Sequence, residues 1–361
     1  MKSIVRRTAL AVCTLVLVLI LPTAASAACT GFDDLPETAD CYESVMYLAE
    51  HEITQGTGNG YFSPDAPVTV RQWAMMLCRA YGAETIGDSW QDVGRSSVVE
   101  AYRQGWLNET ALSSPRSPMC RSVLVESAFA AADVPVYDST LYEGGTSLST
   151  ADNILRVGRE LGLCSDDTDT NALVTRGDAA IILHVVLTQS FRIEEPPVPV
   201  TLVNAAGVNV NDFLLELRKL PEQVLDAFNA AGWTYCIDFD YMGGLSKKLN
   251  MSCIGATNYS RKTIYLSDAS ATLHEFGHFL DWTLGIPAEH EQLYLAEAQN
   301  SGLRDYAKTN AREYFADCFA YCIIHGNDSE MMERLRKNAP QTCTYFEKLG
   351  KDSWSRSIRS N

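Results

Sequence analysis

The chain has 361 residues and a formal net charge of −16. That acidic excess speaks against nucleic acid and anionic membrane surfaces as partners, since both would repel it. Hydrophobic residues make up 46% of the chain, enough for more than one buried core.

Residues 1–27 read as an export signal. Lys2, Arg6 and Arg7 precede an apolar run from Ala9 to Leu21, and Ala25–Ala27 spells an A-x-A cleavage pattern. The run is shorter than the ~20 residues a spanning helix needs. Cleavage after Ala27 removes three of the 29 Lys and Arg and none of the 45 Asp and Glu, leaving a net charge of −19. It also removes one of 11 cysteines, and the even remainder suits an oxidising exterior with several disulfides. Cys236 with Cys253, flanking a hairpin, and Cys322 with Cys343, joining the last two helices, are the candidate pairs.

A weak internal repeat occupies residues 28–190, in copies at about 30–82, 89–135 and 136–188. Each copy pairs two helices across a loop. Arg71, Arg121 and Arg176 recur near the start of the second helix, at spacings of 50 and 55 residues, the period of a supersecondary unit. A cation there opposes the helix dipole, so its recurrence points to binding as an alternative to a surface ion pair in each copy. "FDDL" at Phe32, "GNGYFSPD", "VTVRQWA" and "VTRGDAA" resemble S-layer homology domains. The resemblance implies a three-copy, all-α module that anchors bacterial proteins to secondary cell-wall polysaccharide, with Arg71, Arg121 and Arg176 facing acidic sugar groups. The second copy lacks the glycine loop.

Residues 191–201, "FRIEEPPVPVT", are charged and proline-rich without hydrophobic period, the pattern of a semi-rigid linker. The C-terminal half, 202–361, opens with a helical pattern that stops at Gly232. "WTYCIDF" and "KTIYLSD" read as strands. A helix over Ala271–Leu284, capped by Thr272 or Ser270, and helices over Asn310–His325 and Ser329–Lys337 follow.

The stretch "ATLHEFGHFLDW" carries the chemistry. His274 and His278 lie one helical turn apart on one face, so both can offer a ring nitrogen to one ion at about 2.0–2.1 Å. Glu275 is rotated off that axis and can reach a water without being a ligand. A metzincin would need Gly at 281 and His at 284, where this chain has Asp281 and Leu284. The third ligand is then Glu313, a carboxylate in an apolar helix, or His290, which lies in polar "PAEHEQ" and is expected exposed. Asp317, one turn after Glu313, can orient a ligating histidine through its other ring nitrogen.

"HEFGHFLD", "DYAKTNAREYFADCFA" and "KNAPQT", in this order over about 211–349, resemble the catalytic domain of lethal factor-type zinc metalloproteases, which include the Pro-Pro endopeptidases. The resemblance implies an α+β zincin-like domain with one zinc ion on His274, His278 and Glu313. It makes Glu275 the general base and Tyr306 the group that stabilises the transition state, and it puts Asp317 where the family has glutamate. "GATNYSRKTIYLS" would form an edge strand along which a peptide substrate lies. The expectation is a multidomain, secreted, wall-attached zinc metalloendopeptidase that cuts extended segments of surface or extracellular proteins. Self-cleavage at Pro196–Pro197 would release its catalytic half. The alternatives are a wall-polysaccharide-binding protein with an inactive protease-like half, and an amidase acting on the wall.

Overall fold

The computed structural model describes residues 31–165, 169–285 and 287–355. The expected export signal lies outside the described residues. Two compact units emerge. Among the described residues, one takes those up to Met119 together with Leu173–Thr188, and the other takes those within Cys120–Ala172 and those from Gln189 onward. No helix among the described residues is long and apolar enough to cross a membrane.

The repeat region carries helices α1 (Tyr42–Glu50), α2 (Val70–Ala80), α3 (Trp90–Arg103), α4 (Glu109–Ser113), α5 (Arg121–Ala131), α6 (Thr150–Glu160) and α7 (Arg176–Thr188). In the first unit Thr69 caps α2 reciprocally. Its hydroxyl accepts from Gln72 N at 3.3 Å and its own N–H donates to Gln72 Oε1 at 2.9 Å, satisfying two otherwise orphaned amides. Before α7 the Thr175 hydroxyl accepts from Asp178 N at 3.1 Å. The segments leading into these helices close a ring of three backbone hydrogen bonds. Val68 N donates to Val174 O (2.9 Å), Val174 N to Met119 O (3.0 Å) and Met119 N to Val68 O (2.9 Å). Each copy gives one bond and receives one, which makes Val68, Met119 and Val174 equivalent positions. Two residues further on stand Val70, Arg121 and Arg176. Arg71 sits one step later than the other two arginines.

In the second unit a four-stranded sheet runs in the order β1 (Leu202–Asn204), β2 (Thr234–Ile237), β4 (Thr263–Leu266), β3 (Gly255–Asn258). The first three neighbours pair in parallel, and β3 pairs antiparallel with β4, forming one edge. The helical pattern before Gly232 breaks into α8 (Asn211–Arg218) and α9 (Glu222–Ala230), because Pro221 cannot donate a helix bond and clashes with the preceding turn. Helix α10 (Phe239–Leu249) covers one sheet face, where Met242 packs with Cys236 and Tyr265. On the other face lies α11 (Thr272–Leu284); α13 (Ala311–His325) packs on it, and α12 (Pro287–Glu297), α14 (Ser329–Asn338) and α15 (Pro340–Lys351) pack on α13. Phe228 of α9 stands between Phe276 and Phe279 of α11, with ring centroids 4.7 and 5.1 Å away, and these rings anchor the main core.

Two expectations change here. The described cysteines, Cys236, Cys253, Cys322 and Cys343 among them, are all free. Cys236 lies on a central strand rather than beside the β3–β4 hairpin, sharing an apolar cluster with Cys253. Cys322 packs against the apolar cluster that holds Cys343, and burial pushes the two thiols up to about 12 and about 11. Residues 191–201, the expected linker, are tied down within the second unit. Glu194 O accepts from the Tyr142 hydroxyl at 2.7 Å, Pro199 O accepts from Asn229 Nδ2 at 2.8 Å, and Pro196 is buried.

Candidate metal centre

Helix α11 begins on a 3-10 turn, Ala269–Ala271, whose entry Asp268 caps by accepting from Ser270 N. That carboxylate does the work expected of Thr272 or Ser270; the Thr272 hydroxyl instead meets the Tyr235 hydroxyl at 2.6 Å in the core. The helix ends where Gly285 adopts a left-handed conformation, φ 62°. Everything from Ala271 to Leu280 is buried, so its polar side chains must find partners inside.

They find them on α13. Asn310 caps that helix by accepting from Arg312 N and Glu313 N, at 3.0 and 3.1 Å, which puts Glu313 in the first turn and aims it at α11. The helices approach closely because Gly277 has no side chain: a Cβ there would lie 2.6 Å from Ala316 Cα. The outcome is a triangle of donor atoms. His274 Nε2 stands 3.1 Å from His278 Nε2 and 3.1 Å from Glu313 Oε2, and His278 Nε2 is 3.2 Å from the same oxygen. Among the described residues it is the one His/Cys/Asp/Glu group with metal-ligand spacing.

The donor set fits a zinc ion. Bonds of about 2.0–2.1 Å in a tetrahedral shell set donor atoms about 3.3–3.4 Å apart, close to all three edges. The tautomer agrees as well. His274 Nδ1 lies 2.6 Å from Asp317 Oδ1, an ionised acceptor that fixes the proton on Nδ1. That leaves the Nε2 lone pair facing His278 and Glu313, three acceptor-capable atoms converging on one point, which calls for a shared cation. Burial drives the His274 imidazole down, but its hydrogen bonds to the Asp317 and Glu313 carboxylates outweigh it and raise it to about 9, so this cluster favours a positive charge at its centre, carried by a proton or by a metal ion. Burial opposes ionisation of Glu313 too, yet the two histidines hold it well below the usual carboxylate range.

Sequence reasoning paired Asp317 with a histidine; the structure adds what holds Asp317. Arg304 grips it with Nε at 2.6 Å and with Nη2, and the same Nη2 lies 3.3 Å from His274 Nδ1. Burial raises Asp317, but His274 and Arg304 outweigh it and keep it ionised.

Glu275 is not one of the three residues of the triangle. Its Oε2 accepts a hydrogen bond from Thr257 Oγ1 at 2.6 Å, so the edge strand β3 holds it. Gly255 makes that approach possible: a Cβ on it would fall 2.7 Å from Glu275 Oε1. Tyr306 places its ring centroid 5.8 Å from that of His274 and keeps 43% of its surface exposed. Burial and the nearby Glu313 and Glu275 raise its hydroxyl to about 12, so it remains a proton donor.

His290 does not join the site. It is buried rather than exposed, bonded to Asp281 through Nδ1 and to the Tyr345 hydroxyl through Nε2 at 2.9 Å, with its ring stacked on Phe315. The core satisfies it completely. The repeat arginines lie in three settings. The Arg71 guanidinium stacks 4.2 Å over the Trp90 ring. Arg121 opens α5 in the second unit. Arg176 is buried, donating from Nε to Phe62 O at 2.8 Å, and burial lowers it to about 10 although Asp34 pulls the other way. Asp34 accepts from Phe62 N and Ser63 N at 2.8 and 2.7 Å, which explains the "FDDL" motif. Arg176 also lines a cavity of about 230 Å³ with Gly56, Gln72, Arg79 and Trp90.

These arrangements match known families on both sides. The S-layer homology domain model matches residues 31–69, and the model of the anthrax toxin lethal factor N- and C-terminal domain matches residues 236–349. The chain therefore carries an S-layer homology domain near its N-terminus and a lethal factor-like domain in its C-terminal part. Among individual proteins, the lethal factor of Bacillus anthracis is 29% identical over 90 residues, covering 22% of this chain. The match covers 11% of that protein's length.

Proposed function

We propose that the C-terminal part, residues 202–361, is a zinc-dependent endopeptidase and that the S-layer homology repeats hold it at a bacterial cell surface after export. The observation that carries the reading is the His274–His278–Glu313 triangle with Glu275 beside it and outside it. When bound there, a zinc ion supplies the charge that polarises a peptide carbonyl and acidifies a water. Glu275, fixed by Thr257, takes the proton from the attacking water and delivers it to the leaving amine. Tyr306 stays protonated at neutral pH and donates to the oxygen on which negative charge develops. Asp317, clamped by Arg304, keeps His274 turned to the centre. The open edge of β3 supports an extended peptide as substrate, because its unpaired backbone groups can add one more strand. Anchoring rests on the repeats: the cavity bearing Arg176, Arg79 and Trp90 offers cations and an aromatic face, the chemistry that retains acidic sugars of a wall polysaccharide.

The test is digestion of a diverse peptide library by the zinc-loaded protein, read by mass spectrometry beside Glu275→Ala. Cleavage by the wild type alone is expected. Failure of both proteins, with zinc bound, would overturn the endopeptidase reading; release of muropeptides instead would make the protein a wall amidase. Sedimentation of the protein with purified wall polysaccharide tests the anchor.

A further inference from the structure

Beside the metal triangle, a cavity of about 340 Å³ is lined by Tyr259, Asp281, Trp282, Gly285 and Arg312. Its walls are continuous with the site. Tyr259 follows β3 directly, Asp281 and Trp282 occupy the turn of α11 after His278, and Arg312 precedes Glu313. The charges are unequal in availability. Asp281 is engaged by His290 Nδ1 and only 11% of its side chain is exposed. Burial raises the Tyr259 hydroxyl to about 12, so it is neutral. The Arg312 guanidinium is exposed, rests 5.8 Å from the Tyr259 ring centroid, and meets no carboxylate among the described residues. A free cation over an aromatic wall suits a carboxylate, which gains a charge-assisted hydrogen bond while its methylenes lie on the rings.

The direction of the strand says which substrate residue arrives there. Ser267 N donates to Ile254 O at 2.9 Å, and Ile254 stands opposite Ser267 in the β3–β4 register. Hydrogen-bonded pairs alternate along antiparallel strands, so Ala256 and Asn258 bond to β4 while the backbone groups of Gly255 and Thr257 face the open edge. A peptide pairing antiparallel, the stronger mode, enters at the Tyr259 end and leaves at the Gly255 end. Its residues on the amino side of the cleaved bond pass the cavity.

Resting on the endopeptidase reading, we infer that this cavity is a specificity subsite for an acidic side chain, Asp or Glu, on the amino side of the cleaved bond, with Arg312 as its selecting residue. The experiment compares peptide sets carrying Glu, Ala or Lys at each amino-side position, with wild-type, Arg312→Lys and Arg312→Glu proteins matched for zinc content. At one such position the wild type should prefer Glu over Lys by about tenfold or more, the size of one charge-assisted hydrogen bond. Arg312→Lys should keep the order and Arg312→Glu should invert it. Cleavage with the same Glu-to-Lys ratio in wild type and Arg312→Glu would overturn the subsite and leave the protease standing. A charge response confined to the carboxyl side would overturn the placement. Absence of any cleavage by zinc-loaded wild type would instead sink the endopeptidase reading itself.

Discussion

Replacing Asp317 by alanine removes the carboxylate that sets the His274 tautomer. That carboxylate is buried, with one oxygen 2.6 Å from His274 Nδ1 and both gripped by Arg304. Loss of a partner that orients a metal-ligating imidazole typically weakens metal affinity 10- to 100-fold, about 1.4–2.7 kcal/mol. The upper part of that range is expected here. Without Asp317, Arg304 Nη2 would confront the Nδ1–H of His274 from 3.3 Å, donor against donor, and the ring would turn from the centre. The fold should survive, because 59% of the Arg304 side chain is already exposed and can withdraw into water. Competition with a chromogenic chelator measures the zinc affinity, and the melting temperature of the zinc-free protein monitors the fold. Asp317→Asn keeps an acceptor for Nδ1–H and should lose less. Zinc binding by Asp317→Ala within threefold of wild type, with the melting temperature unchanged, would refute the proposed role.

Thr257→Val should lower kcat/KM for a cleaved peptide about tenfold, the lower end for a hydrogen bond to a charged group, while zinc affinity stays at the wild-type value. Thr257→Ser should recover most of the loss, and equal rates for Val and Thr would exclude a role in holding Glu275. Gly277→Ala forces a methyl against Ala316 and should cost about 1–3 kcal/mol as well as zinc affinity, because α13 carries Glu313; a wild-type melting temperature would contradict it. Burial raises the Cys78 thiol from its ordinary 9.0 to about 11. The unfolded chain therefore releases this proton first, so the contribution of Cys78, at most about 2.7 kcal/mol, is complete below pH 9 and is lost as pH rises through 11. Melting curves from pH 8 to 11 under reducing conditions should fall less steeply for Cys78→Ala, and parallel declines would disprove the assignment.

Much of the candidate site was legible in the sequence because helical periodicity is local. The i, i+4 spacing of His274 and His278 survives any packing of α11, and Asp317 follows Glu313 on one helix for the same reason. Arg304 was not legible: its target lies 13 residues away in sequence and across a turn, and only an exposed guanidinium folding back onto a buried carboxylate reveals it. Thr257 and Gly255 were equally silent, since their roles depend on the edge strand passing over Glu275. His290 was misjudged because its polar neighbours along the chain suggest solvent, whereas Asp281, Tyr345 and Phe315 enclose it. The offset of Arg71 was in principle readable: aligning Thr69 with Thr175, the two capping residues, already sets Val70 beside Arg176.

The sequence by itself determined what short-range chemistry controls: the helix holding two histidines, the strand segments at Thr234–Ile237 and Thr263–Leu266, the break that Pro221 imposes, and the repeat near each capping threonine. Tertiary structure decided what depends on distant groups meeting. It closed the ring through Val68, Met119 and Val174, brought Glu313 to the histidines across the Gly277 contact, and tied the proline-rich segment to the second unit. The physical reason is range. Propensity and capping act over one or two helical turns, while burial forces side chains far apart in the chain to satisfy one another, and the candidate metal centre is such a solution.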